Sequence, residues 1–187
     1  MRITKNLRQD QEIILRFLDV FGGGSAALGS SNKLAQPGFF VFGSTFIQEY
    51  INTVFFRKEE LLMEALENSG LPTDTGAIGG MKSEQAKCRE AADVLIKAAK
   101  DWQGGDASAR LEVGWAASEY TSTLRQHLNR LKNLVFPLLE QNISFEDEHK
   151  ILEGLNNITF ENNLQGQDDD KFTKLIATLE DELSEWK

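Results

Sequence analysis

Two histidines and one cysteine are all this chain offers to any chemistry that needs imidazole or thiolate. His127 stands in LRQHLNRLKNLVFP, on what reads as the inner face of a helix, with Leu131 one turn further on. An imidazole so placed is either a ligand or base that needs a carboxylate within reach, or a core residue satisfied by a hydrogen bond. His149 lies in the acidic stretch EDEHKIL and reads as a solvated surface residue. Cys88, in EQAKCREAAD, reads as an ordinary helix position, since a catalytic thiol needs a histidine beside it. A lone cysteine also excludes an intramolecular disulfide and a CxxC metal site. The charged run KEELLMEALE, from Lys58, reads as a solvated helix face. The triplet at 168–170, DDD, lacks the glycine and spaced oxygen ligands of a calcium loop and reads as a turn ahead of a helix. Trp102, Trp115 and Trp186 fall near helix ends or on faces, where they pack or make a subunit contact.

The elements that position these residues are helical. With 187 residues, 41% hydrophobic and 26% charged, the chain suits one domain with a sizeable core. Three prolines, at 37, 72 and 137, leave long segments rich in Ala, Leu, Glu, Lys and Gln. Helical spacing predicts a first segment over about 6–21, ended by FGGG, then a loop over 22–38. Further segments are predicted over about 40–69, 81–103 and 107–142, with Pro137 as a kink or terminator in the last turns. Ser144 and Asp147 make an approximate capping box for the next helix, and a last helix covers about 171–186. No alternation of β type runs to useful length. The predicted fold is all-α: an up-down-up-down four-helix bundle over about 1–142, with a C-terminal helical extension over about 143–187, as one domain.

The formal net charge of −9, with no cluster of Lys and Arg, argues against binding nucleic acid. No apolar run approaches the roughly 20 residues of a membrane helix, and the N-terminus lacks a secretory signal pattern, so a cytoplasmic location is expected. Neither glycine-rich stretch has the GxxxxGK[ST] order that cradles phosphate.

The stretches DQEIILRFLDV, FFRKEELLMEAL, MKSEQAKCREAADVL and RQHLNRLKNLVFPLLE follow one another in an order and spacing that resemble the bacterial hemerythrin-like, HHE cation-binding family. Its members show DH, then HHxKEE with LF, then EH ahead of a basic residue, then RQHI with KE and LFP. ISFEDEHKILEGLNNITFE resembles the usual C-terminal extension, so the likeness spans nearly the whole chain. The resemblance implies a four-helix bundle around two irons. Carried over residue by residue, the first-helix histidine falls on Gln11 and the second-helix doublet on Phe55 and Phe56. The carboxylate one turn on is Glu59, with Glu60 beside it, and the third-helix histidine falls on Gln85. The fourth-helix histidine is kept as His127, but the acidic position after it is Leu131.

An amide is a poor iron ligand and phenylalanine is none, so a di-iron centre of the family's type is not expected. His127 reads as a former ligand held by Glu59 or by the glutamines, with Gln11 and Gln85 able to satisfy each other. The function this implies is a degenerate, non-enzymatic domain that binds, senses or acts as a scaffold, without a cofactor. Its partner would be a protein or a small apolar ligand in the space the metals vacated, and the apolar faces also allow a homodimer. The alternative is a reduced site of Glu59, Glu60 and His127, completed by water or Gln11, that binds iron or senses oxygen or nitric oxide. Acid–base catalysis by Glu59 and His127 ranks last, because no nucleophile sits at motif spacing to either.

Overall fold

The computed structural model describes residues 1–30 and 32–187. Ser31, within the expected 22–38 loop, lies outside them. The described residues form α1 (Arg2–Gly29), α2 (Pro37–Phe46), α3 (Phe56–Asn68), α4 (Gly76–Gln103), α5 (Ala109–Arg130), α6 (Phe136–Asn142), α7 (Phe145–Leu164) and α8 (Asp169–Glu185). A π-helical segment, Ile47–Phe55, joins α2 to α3, and another, Leu131–Val135, joins α5 to α6. The bundle therefore consists of four rods: α1, α2 through α3, α4, and α5 through α6.

The pairing of the rods follows from buried positions at helical spacing. On α1, Ile3, Leu7, Ile14, Phe17, Leu18, Phe21 and Leu28 are buried, a stripe at intervals of three, four and seven. Contacts run antiparallel from rod to rod. Gly24 meets Phe39 while Asp10 meets Tyr50. Phe40 lies near Trp102 while Gln85 meets Glu59. Leu28 approaches Gly114 while Gln11 reaches Leu128. This is the up-down-up-down order. Helix α8 packs on α1 and α2, with Phe172 edge-on to Phe46 and Tyr50, and α7 packs on α3.

Helix α1 does not stop at FGGG but runs on to Gly29, so the connection to α2 is far shorter than 22–38. The reason is packing. A Cβ on Gly24 would lie 2.3 Å from Phe39 Cε1, and one on Gly43 would lie 2.5 Å from Phe21 Cε1. These glycines make room for a cluster of rings, Phe17, Phe21, Phe39, Phe40 and Phe46, at one end of the bundle. A glycine inside a helix costs about 1 kcal/mol against alanine, which burial of those rings offsets several times over. At the true ends, Gly70 and Gly105 take φ of +100° and +111°, which a side chain would resist.

Pro137 does not end the fourth rod. It stands in the first turn of α6, just after the Leu131–Val135 segment. Proline lacks the N–H that would bond to residue 133 and its ring presses on that carbonyl, and a local π-turn lets the rod pass. Ser144 caps α7, accepting from the Asp147 N–H at 3.1 Å and donating to its carboxylate at 2.8 Å. Asp168 caps α8 by accepting from the Lys171 N–H at 2.9 Å, so the acidic triplet opens a helix.

Candidate functional site

Three rods bring one buried polar group each to the same layer of the bundle. Glu59 comes from the first turn of α3, Gln85 from α4 and His127 from the last turn of α5. Glu59 and His127 are 0% exposed and Gln85 is 3% exposed. Each lies on the apolar stripe of its helix, so the packing that buries the stripe also buries the polar group.

His127 Nε2 lies 2.8 Å from Glu59 Oε1 and 2.6 Å from Oε2, a single ring nitrogen shared by both carboxylate oxygens. The Gln85 amide donates to Glu59 Oε2 at 3.2 Å. Phe56 closes the imidazole in edge-on, with ring centroids 5.9 Å apart. On the other edge of the ring, Nδ1 is 3.6 Å from Glu84 Oε1, a charge contact beyond hydrogen-bond length. Glu84 in turn pairs with Arg130 Nε at 2.6 Å. Gly80 leaves space for that guanidinium, since a Cβ there would lie 3.2 Å from it. The result is a row of alternating charge, from the buried Glu59 to the partly exposed Arg130.

This row sets the protonation states. Burial alone would lower the pKa of His127, but the Glu59 carboxylate, by charge and hydrogen bond, with Glu84 behind it, pushes it up to about 10. The ring is therefore an imidazolium at neutral pH. Burial would raise the Glu84 carboxyl, and the contacts with His127 and Arg130 hold it below the usual carboxylate range. Cys88 is buried nearby, and burial, then the carboxylates of Glu59 and Glu84, push its thiol up to about 12. It offers no thiolate for nucleophilic work.

Other expected site residues are placed differently. Gln11 does not meet Gln85; its amide makes a long hydrogen bond of 3.5 Å to the Leu128 carbonyl. Phe55, Phe56 and Leu131 are fully buried and fill the interior with carbon. Glu60 is not part of the site: its side chain is 55% exposed and faces Arg89 at 3.6 Å. It follows Glu59 by one position, which on a helix turns it about 100° away. His149 is exposed.

Lys58 corrects the reading of a solvated face. It is 3% exposed, and its ammonium donates to Asp10 Oδ2 at 2.7 Å and Asn6 Oδ1 at 3.3 Å, while the Tyr50 hydroxyl donates to Asp10 Oδ1 at 3.0 Å. Sequence reasoning missed this pair, along with Glu84 and Arg130. The spacing held faint signals: Asp10 adjoins Gln11, Glu84 adjoins Gln85, and Arg130 follows His127 by one turn.

An antiparallel four-helix bundle with a carboxylate and an imidazole facing across its interior defines a class in which such groups hold metal ions. The family model described as hemerythrin HHE cation binding domain matches residues 2–139, and the chain belongs to that family. Comparison with curated proteins and with solved structures gives no match.

The residues present do not fit the cation that the family name implies. Among the described residues no group of three or more His, Cys, Asp or Glu is arranged to hold a metal ion. The geometry gives the reason. Glu59 and Glu84 lie on opposite edges of the His127 ring, so the three cannot converge on one point. The atoms that would bind a metal are turned on each other instead, with the Nε2–H of His127 donating to the Glu59 carboxylate.

Proposed function

We propose that in this hemerythrin-family chain an imidazolium–carboxylate pair has taken over the structural place of the metal centre, and that the domain works by binding a protein partner rather than by redox chemistry or catalysis. One observation carries the reading: His127 Nε2 is shared by both oxygens of Glu59. A buried carboxylate needs a cation. In a metal-loaded bundle the metal supplies it; here the protonated ring does. Gln85 completes the shell of Glu59, and the aromatic and aliphatic side chains at positions 55, 56 and 131 occupy the interior around it.

Binding is favoured over catalysis because the buried pair has no route to substrate. Glu59, Gln85 and His127 lie in the interior, and the cavities between α1 and α5, α3 and α7, α4 and α5 and at the Asp10–Lys58 seam are lined by other side chains. No helix among the described residues is long and apolar enough to cross a membrane. The partner then meets the outer faces of the bundle.

The test is metal analysis by inductively coupled plasma mass spectrometry, with a visible spectrum, on protein purified without chelator and again after anaerobic ferrous loading. The expected result is no stoichiometric iron and no charge-transfer band. One or two irons per chain with such a band would overturn the proposal in favour of an iron-binding site built on Glu59 and His127.

A further inference from the structure

We propose that the furrow between α4 and α5 docks a cationic amphipathic helix of a protein partner, with its Lys or Arg side chains on Glu90, Glu112 and Glu119 and its apolar stripe on Trp115 and Val94. This rests on the reading of the domain as a protein-binding module and names the chemistry of the partner. Two independent features meet there. One is apolar surface left in water, which marks interaction sites: Trp115 is 74% exposed and Val94 is 48% exposed. Both border a furrow of about 370 Å³ that also reaches the small, buried Ala91 and Ala116. The other is uncompensated charge. Three carboxylates line the furrow against one ammonium, Lys87, and none of the three has an ion-pair partner among the described residues. Carboxylates at other seams are bridged from the facing element: Glu180 by Arg16, Glu161 by Arg57 and Glu49 by Lys171.

The layout of these groups fits a helix. Glu84 meets His127 across α4 and α5, so counting along this antiparallel pair brings Glu90 near the level of Glu119 and Val94 near that of Trp115. Two carboxylates therefore flank one level of the furrow and two apolar side chains flank the next. From Glu112 to Thr123 the furrow runs about 17 Å at 1.5 Å per residue, the length of about three helical turns. A trough between two packed helices is the shape that a third helix fills.

Charge selects the occupant. A purely apolar partner would strip water from three carboxylates and give nothing in return. An acidic one, a second copy of this chain at net charge −9 included, would add repulsion. A helix with cations beside its apolar stripe satisfies the carboxylates and covers the exposed side chains together, and a guanidinium or ammonium over the Trp115 ring adds a cation–π contact. The neighbouring grooves lack this combination. The one between α1 and α5 shares Trp115, but its single charged lining residue, Arg125, is paired with Asp19. The lining of the one between α3 and α7 includes no exposed large apolar side chain.

The probe is a synthetic peptide of about 18 residues, Leu and Lys set at amphipathic helical spacing, titrated into the full chain. Nuclear magnetic resonance shifts should centre on residues 87–94 and 112–123, and fluorescence anisotropy of the labelled peptide should give an affinity that falls as salt is added. Trp115→Ala, or Glu112→Gln with Glu119→Gln, should weaken binding about tenfold or more with an unchanged circular dichroism spectrum. Glu146→Gln with Glu153→Gln removes the same charge from exposed positions on α7 and should change the affinity less than about twofold. The same peptide with Glu in place of Lys should not bind. No binding of the Lys peptide, shifts centred on another face, equal loss from the α5 and α7 pairs of changes, or a Glu peptide bound as tightly would overturn the proposal. A chain free of iron that fails to bind the peptide leaves the reading of the buried pair standing, and an iron-loaded chain that binds it in this furrow does the reverse.

Discussion

Two buried ion pairs among the described residues have different surroundings. Glu59 and His127 are enclosed by protein on every side, with Gln85, Phe56 and Glu84 around them. Asp10 and Lys58 lie at the seam between the bundle and the C-terminal helices, beside a polar cavity of about 120 Å³ that Asn162 and Asp169 also line. The first pair has only protein around it, and Nδ1 of His127 is left with a charge contact to Glu84 but no hydrogen bond; the second borders space that can admit water. In that space Asp169 is raised by burial and by the charge of Asp10, and Lys58 pulls it back only in part. The contrast teaches that a buried charge can be balanced by an opposite charge inside the protein or by polar space at a seam.

The largest expected effect comes from breaking the enclosed pair. Glu59→Ala or His127→Ala strands a buried charge and should cost about 3–5 kcal/mol in urea unfolding, whereas the double change Glu59→Leu with His127→Leu should recover much of it. If the single changes cost under about 1 kcal/mol, the pair is not what organises this layer. Lys58→Met at the seam should cost less, about 1–3 kcal/mol, because Asp10 keeps its bond from Tyr50 and has the polar cavity beside it.

The pH dependence sharpens the comparison. The His127 pKa is raised in the folded state, so its contribution to stability is fully present below about 6.5 and falls away as pH rises toward about 10. Glu84 is lowered, so its contribution is present above the ordinary carboxylate range and is lost in acid. The urea midpoint of the wild type should therefore decline between neutral pH and pH 10. His127→Gln should be less stable and lack that decline, while Lys58→Met should keep it. Nuclear magnetic resonance titration of the His127 ring should show no deprotonation near pH 6.5.

The smallest effect separates two glycines at the aromatic end. Gly24→Ala pushes a methyl into Phe39 and should destabilise by about 1–3 kcal/mol. Gly22→Ala meets only Thr121 Cγ2, at an ordinary 3.6 Å, and should stabilise by about 0.5–1 kcal/mol. Thermal melts of the two variants, moving in opposite directions, check that FGGG is a packing motif within a helix.

That motif shows where reading the sequence failed. Glycine carries the same letter whether it ends a helix or lets a ring approach, and only Phe39, 15 positions along the chain from Gly24, decides between the two. Lys58 failed for a related reason. Its neighbours in sequence are charged, but its neighbours in space are Asp10 and Asn6. Glu59 and His127 were legible because the order of motifs placed both on facing positions of one bundle, although nothing in the motifs says that one nitrogen would serve both oxygens.

By itself, the sequence determined the all-helical class, the order of the rods and the cap at Ser144, because helical periodicity and capping are local properties of neighbouring residues. It also determined that the side chains of Phe55 and Leu131 could not ligate a metal, since neither carries a donor atom in any fold. Only the tertiary structure decided that Glu60 faces water while Glu59 faces His127, that Lys58 is buried, and that Glu84 and Arg130 extend the row of charge to the surface. Those choices depend on distances between rods, and a pairing energy falls off over a few ångströms that no spacing along the chain can specify.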